Sequence, residues 1–197
     1  MRTIGANEQQ ILEKAAAEAG IPALLLMESA AHALAARALQ LVEEHKFQRV
    51  IVLCGAGNNG GDGFATARLL LGRVLHLQVF EAEAAANNQG DARLNRQICL
   101  NLGIIPQPFS EFEPTDGLVI DAVYGSGFKV DRSLSTEFER LARKVNQARM
   151  EYGARVLAVD LPSGVQADHG QVAPTVIQAD ETLSFLYIKT GLVSYPG

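Results

Sequence analysis

The sequence predicts an α/β fold in which a mostly parallel sheet is covered by helices on both faces. Three observations carry that expectation. Apolar runs of strand length alternate with helical patterns, as in parallel strands joined by helical crossovers. The runs at residues 50–53, Leu118–Ala122 and Arg155–Val159 are almost continuously apolar, as strands buried on both faces are. Glycines and polar residues gather directly behind these three runs, where open parallel sheets bind their ligands.

In chain order, residues 7–19 are polar and rich in helix formers, and Gly20 stops them as a glycine past a helix end does. Pro22 stands where a second helix starts. Met27, Ala31, Leu34, Ala38 and Leu41 recur at helical spacing and form one apolar face. Small residues around it, among them Ala30, Ala33, Ala35 and Ala36, permit close packing on the sheet or on a second subunit, so a homodimer is permitted. The strand at 50–53 enters a loop with Gly55, Gly57, Gly60, Gly61 and Gly63, and a helical pattern runs from about Phe64 to Leu71. Residues 74–80 read as the next strand and 84–90 as a loop. Residues 91–102 read as a helix with Leu94, Ile98 and Leu102 on its apolar side, and 104–105, before Pro106, as a short edge strand. An acidic connection leads to Leu118–Ala122, then to a second glycine turn at 124–128 and a helix behind Ser133. Arg155–Val159 runs straight into Asp160-Leu161-Pro162-Ser163-Gly164, and residues 182–187 read as a last strand. Without repeat or linker, residues 1–197 are expected to form one domain.

At 197 residues and 48% hydrophobic content the chain can bury a substantial core. A net charge of −5 with scattered Lys and Arg offers no footprint for nucleic acid or an anionic membrane. No apolar run reaches the ~20 residues that span a bilayer. Two cysteines make no disulfide scaffold, and the start lacks a secretory pattern, so a reducing, cytoplasmic setting is expected. His32 reads as a surface or packed histidine. Cys54 and Cys99 read as small buried residues.

The spacing Gly55-x-Gly57-x-x-Gly60 satisfies a dinucleotide-binding fingerprint, with Glu81 and Glu83 about where its ribose-binding acid stands. Asn58, Asn59 and Asp62 exceed what a pyrophosphate loop needs. A carboxylate at Asp62 would repel a phosphate on the helix start, so it is expected to cap that helix or to serve a cation or a hydroxyl-rich ligand. Polar residues with glycines recur at Asp121 and at Asp160 with Ser163, and one shared site explains the three groups better than three separate turns. An all-oxygen set suits a hard cation. An amide, a carboxylate, a hydroxyl and turn carbonyls suit a large monovalent ion such as potassium. Asp160, ending a buried strand there, is the candidate acid or base.

The blocks GAGNNGGDGFATARLL, DAVYGSG and AVDLPSGVQADHG, with the later KTG, resemble the YjeF N-terminal domain family, which includes the NAD(P)HX epimerases. The likeness runs from LLMESAA to the tail. It implies a three-layer α/β/α, Rossmann-like fold. It also implies a cofactor-repair reaction, in which hydrated NADH or NADPH (NADHX, NADPHX) is interconverted between R and S forms at nicotinamide C6 for a partner dehydratase. By position, Asn58, Asn59, Gly60, Gly61 and Asp62 would contact the substrate. Gly125, Ser126, Gly127, Phe128, Lys129, Val130, Asp131 and Asp160 would do so too. Asn59, Asp121 and Ser163 would bind potassium, and Asp160 would be catalytic. Ser29 stands where the family often has asparagine, Ser126 replaces a common threonine, and residues 128–130 form an unusual version of their loop. Many bacterial members continue into a dehydratase domain, so the chain is expected to be a short form or one domain of a longer bifunctional protein. A non-catalytic nucleotide- or protein-binding module is the alternative; it could tolerate loss of Asn59, Asp121 or Asp160, all present here. An NAD-dependent oxidoreductase fits the NNGGD loop poorly.

Overall fold

The structure, a computed structural model, describes residues 2–129 and 134–194. Its strands are β1 (Thr3–Ile4), β2 (Arg49–Cys54), β3 (His76–Glu81), β4 (Gln107–Pro108), β5 (Leu118–Ala122), β6 (Arg155–Val159), β7 (Glu181–Leu183) and β8 (Ile188–Lys189). Its helices are α1 (Ala6–Glu18), α2 (Ala23–His45), α3 (Asn58–Leu70), α4 (Gly90–Asn101) and α5 (Thr136–Glu151). The main sheet has the order β4-β3-β2-β5-β6-β7, with every pairing parallel. The chain winds outward from β2 through β3 to β4, then returns to β5 on the other side of β2. The crevice beyond the carboxyl ends of β2 and β5 is therefore a topological switch point, where such sheets bind ligands.

Alternate strand residues face opposite layers. Val50, Val52 and Cys54 of β2 pack with Leu34, Phe64 and Cys99 from α2, α3 and α4. Ile51 and Leu53 pack with Phe138, Leu141 and Val145 of α5. This is the three-layer α/β/α arrangement. The small residues Ala31, Ala35 and Ala38 of α2 are buried in the chain's own interior. Cys54 and Cys99 are buried core residues, and His32 is a surface residue beside Glu28. No single helix is long and apolar enough to cross a membrane among the described residues.

Several boundaries depart from the sequence expectation. Helix α3 starts at Asn58, not at Phe64. Each glycine costs a helix about 1 kcal/mol, which argues locally against a start before Phe64. Packing overrides that cost. A Cβ on Gly60 would lie 1.8 Å from the Gly55 carbonyl oxygen, so the helix can approach the loop only with glycine there. The buried side of α4 is Ala92, Asn95 and Cys99, while Leu94 and Leu102 are 43% and 51% exposed. Helix α4 meets α3 at Gly61, where Ala92 comes so close that small residues must face inward. The edge strand forms at Gln107–Pro108 rather than 104–105, and Pro108 is tolerated because an edge needs no further donor. Strand β3 begins at His76, after Val74 has turned into the core. Residues Glu83–Asn87 form a 3₁₀ turn. Ser135 caps α5 by accepting from the Phe138 N–H at 3.1 Å, and Ser133 lies outside the described residues.

The expected last strand divides. Strand β7 ends at Leu183, the chain turns at 185–187, and β8 pairs in parallel with β1, the two ends of the chain forming a separate two-stranded sheet. Helix α1 buries no residue, and Asp168 accepts from the Ala6 N–H at its start (2.8 Å).

Candidate active site

A cavity of ≈ 1560 Å³ opens over the switch point. Pockets for small ligands measure about 300–1,000 Å³, so this one has room for a dinucleotide. Its walls come from the start of α3, the loop behind β5, the residue behind β6, the segment behind β7 and one side of α1.

Gly57 precedes α3 at φ +103°, a conformation open to glycine, and its N–H donates to Asn88 Oδ1 at 2.9 Å. Asn58, Asn59 and Asp62 follow on the cavity wall. Gly60 and Gly61 are buried behind them and are absent from the lining. Gly60 lets the start of the helix sit against the Gly55 turn, and Gly61 lets the helix approach Met27 and Ala92. Asp62 does not cap α3: it lies inside the helix, with a glycine at the cap. Burial raises its pKa well above the usual carboxylate range, and the nearby Asp160 and Glu13 carboxylates raise it further.

Behind β5, residues 124–129 form the second wall, and the Phe128 N–H donates to the Gly125 carbonyl at 3.0 Å. The rings of Tyr124 and Phe128 stack at 5.3 Å, giving this wall a flat aromatic element. Gly125 lies against the Asn59 side chain, whose Oδ1 would be 2.8 Å from a Cβ there. Of the sequence candidates, Gly125, Ser126, Gly127, Phe128, Lys129 and Asp160 join Asn58, Asn59 and Asp62 on the lining. Val130 and Asp131 lie outside the described residues.

Asp121 and Ser163 lie beneath this wall, fully buried. Asp121 accepts from Ser163 Oγ (2.6 Å), the Ser163 N–H (2.8 Å) and the Val123 N–H (3.2 Å). Ser163 Oγ in turn accepts from the Tyr124 N–H at 2.8 Å. Burial pushes the Asp121 carboxyl up to about 6, against the opposing hydrogen bonds from Ser163 and Val123. Among the described residues Asp121 has no cationic partner. Asn59 approaches the same 123–125 segment from above, and its buried Nδ2 has no hydrogen-bond partner. A buried carboxylate met only by neutral donors, with the Asn59 amide oxygen and the Ser163 hydroxyl around one loop, fits a monovalent cation. No group of three or more His, Cys, Asp or Glu ligands exists among the described residues.

Asp160 sits at the end of β6, 5% exposed, at φ +67°. The Leu161 N–H donates to the Val159 carbonyl at 2.8 Å and closes a three-residue turn centred on Asp160, a rare and strained geometry. Its carboxylate pairs with the ammonium of Lys189 and accepts from Ser184 Oγ at 3.4 Å. Glu81 does not face a ribose: it is bound by Arg96 at 2.7 and 2.6 Å. Glu83 does line the cavity.

Sequence reasoning missed Lys189, Glu13 and Leu186. Lys189 is fully buried, which composition and pattern do not signal, since lysine is rarely interior. Glu13 reads locally as one more polar residue of a surface helix.

The chain matches the YjeF-related protein N-terminus family over residues 23–191. It is 36% identical to an NAD(P)H-hydrate epimerase of Limosilactobacillus fermentum, over 90% of this chain and 82% of that one. It is also 36% identical to a bifunctional NAD(P)H-hydrate repair enzyme of Moorella thermoacetica, over 100% of this chain but 38% of the relative, so it spans less than half of that protein's length. The crystal structure of the yeast protein ynu0 superposes with a TM-score of 0.81 at 19% identity, covering 98% of this chain and 84% of that one, and shows the shared fold. By the extent of that match and the identity to the epimerase of L. fermentum, the chain belongs to the YjeF-related N-terminal family.

Proposed function

We propose that this chain is an NAD(P)H-hydrate epimerase, interconverting the R and S forms of NADHX and NADPHX at nicotinamide C6. The observation that carries the reading is Asp160, a carboxylate held in a strained turn on the wall of a dinucleotide-sized cavity at the switch point. The names of its relatives, among them the epimerase of L. fermentum, support it.

The substrate carries a hydroxyl at C6, bonded to the ring nitrogen. Protonation of that hydroxyl lets the C6–O bond break with both electrons leaving as water, and the cation left on C6 is shared with the nitrogen lone pair. Water adding on the opposite face forms a new C6–O bond and returns a proton, so no electrons are exchanged. Asp160 is the group proposed to move this proton, and Asp62 faces the same space. Asn58, Asn59 and Asp62 are offered to the ribose and amide groups, and residues 125–131 to the remainder of the dinucleotide. The Tyr124–Phe128 wall shields the ring from bulk water. Asn59, Asp121 and Ser163 would hold a potassium ion, whose charge would offset the buried carboxylate and stiffen the 123–125 segment. Relatives that carry both activities in one chain support a dehydratase as the functional partner.

The test follows exchange of purified R- and S-NADPHX by chromatography, in potassium and after its replacement by tetramethylammonium. Potassium-dependent exchange is expected, and Asp160→Asn is expected to abolish it while leaving the circular dichroism at the assay temperature in place, with a lowered melting temperature because Lys189 loses its buried counter-charge. A folded wild-type sample that gives only the spontaneous rate would refute the proposal.

A further inference from the structure

Among the described residues, three non-glycine residues have positive φ: Lys46, Asp160 and Leu186. Lys46 closes α2, an ordinary place for that conformation. Asp160 and Leu186 both line the cavity. Each is the centre of a three-residue turn, closed at Asp160 by Leu161 N–H to Val159 carbonyl and at Leu186 by Tyr187 N–H to Phe185 carbonyl, both at 2.8 Å. Positive φ in such a turn is strained, and at Leu186 no side-chain chemistry compensates for it. Strained turns persist only where surrounding structure over-determines them.

Lys189 supplies that determination. Its ammonium has three protons to place and three acceptors around it. One is the Asp160 carboxylate, and the others are the Phe185 and Tyr187 carbonyls at 2.8 and 3.3 Å. The two carbonyls belong to the residues on either side of Leu186. The lysine is 0% exposed, so this charge persists only because all of its protons are engaged. Its backbone is fixed in turn by β8, which pairs with β1 through Ile4↔Lys189.

We propose that Lys189 is the positioning residue of the site: its buried ammonium clamps the turn at Leu186 to the turn at Asp160 and aims the Asp160 carboxylate into the cavity. The proposal rests on the reading of Asp160 as the acid–base group. Lys189 does not face the substrate itself and is absent from the cavity lining. A displacement of about 1 Å at a reacting group costs on the order of 10²-fold in rate, and that is the loss expected when the clamp is removed.

Two variants and their kinetics test it. Lys189→Met keeps the length of the stem without the charge. Its kcat for NADPHX epimerisation is expected to fall about 10²-fold, with KM within roughly threefold, because the interaction lost aims the reacting group rather than binding substrate. Lys189→Ala leaves a space for a small amine. Propylammonium is expected to restore at least about tenfold of the lost kcat, and tetramethylammonium, which carries no proton to donate, is expected to restore none. Lys189→Met with kcat within about twofold of wild type, while Asp160→Asn is inactive, would overturn the proposal. So would a loss shared equally by kcat and KM without amine rescue. Should both substitutions unfold the protein, removal of residues 2–4 deletes the partner of β8 and leaves the cavity lining intact. A lowered kcat at near-constant KM is expected there as well, and an unchanged kcat counts against the clamp. Wild-type protein with no epimerase activity is a separate outcome, which removes the functional reading on which the proposal rests.

Discussion

Asp121→Asn should gain stability on wild type as the pH rises. The side chain is fully buried, and its carboxyl is pushed from 3.8 up to about 6 by burial. The folded state therefore binds this proton more tightly than the unfolded state. Between about pH 4 and pH 6 the unfolded chain holds fewer protons than the folded one, so stability falls as pH rises through that window and is level above it. A shift of about two units corresponds to ~3 kcal/mol. Asparagine keeps one acceptor for Ser163 but turns an amide toward a second N–H, a mismatch of about 1–3 kcal/mol that does not change with pH. The absolute stability of the variant thus depends on two opposed quantities, while the pH dependence of the difference depends on one. In potassium-free tetramethylammonium buffer the variant should gain ~3 kcal/mol on wild type between pH 4 and pH 7, which for a chain of this size is roughly 6–12 °C in Tm. Potassium in excess should shrink the gap at pH 7 by favouring the ionised carboxylate of wild type. Urea titrations of both proteins across that range measure it. A difference constant to within about 0.5 kcal/mol would show that Asp121 does not ionise in a buried site, and the reasoning for a cation beside it would fall.

Two further predictions concern packing and charge away from the carboxylates. In Gly60→Ala the new methyl meets backbone, the Gly55 carbonyl at 1.8 Å, so no rotamer change relieves it. A loss near the upper end of the overpacking range, about 3 kcal/mol, is expected in thermal melts, and a variant as stable as wild type would show that α3 has room to move away from the loop. Arg37 donates to Glu181 at 2.8 and 2.7 Å, and this bond holds the Glu181 carboxyl below its usual range. A lowered carboxyl pKa contributes stability above the unfolded value that is lost as pH falls through the folded one. Arg37→Met, at a partly exposed pair, should cost about 1 kcal/mol at pH 7 and less at pH 3. Equal losses at both values would assign the effect to packing of the arginine stem.

The parts of the fold legible in the sequence are those decided by local patterns. Strands β2, β5 and β6 announce themselves because burial on both faces demands unbroken apolar runs, and Asp121 and Asp160 are conspicuous because each interrupts or ends one. The start of α3 was illegible for the converse reason. Propensity counts Gly60, Gly61 and Gly63 against a helix, and what admits them is contact with Gly55, Met27, Ala92 and Ala122, three of which lie far away in sequence. The side of α4 was misread in the same way, since Leu94 and Leu102 are the apolar choice of a periodicity argument while Gly61 sets the inward face. Strands β1 and β8 are two residues each and come from opposite ends of the chain, too short for any period to appear. The site was legible as a set of oxygen-bearing residues behind strands. Its division into a lining and a buried layer was not, because Asp121 and Ser163 look no different in sequence from the residues that reach the cavity.

That division accounts for two buried carboxylates on adjacent strands with opposite surroundings. Interior charge is tolerated only when it is compensated. Asp160 is compensated by a residue of the chain, Lys189, whose ammonium is itself fully engaged, so its environment is complete before any ligand arrives. Among the described residues Asp121 is given three neutral donors and no cation, which leaves its ionised form disfavoured in the folded protein. Had the chain placed a second lysine there, the layer under the 123–125 segment would be rigid in every condition. With neutral donors alone, a small cation bound at Asp121, as proposed, would tie the order of that segment to its own occupancy. The segment carries the Tyr124 ring and ends on Gly125 against Asn59, at the cavity wall. Cation binding at that site and the shape of the cavity wall would then be one equilibrium. A cation that tightens the wall must bind more firmly when substrate is present, by the reciprocity that linkage requires. The wild-type affinity for potassium, measured with and without a bound nucleotide, should differ by the same factor as the nucleotide affinity measured with and without potassium.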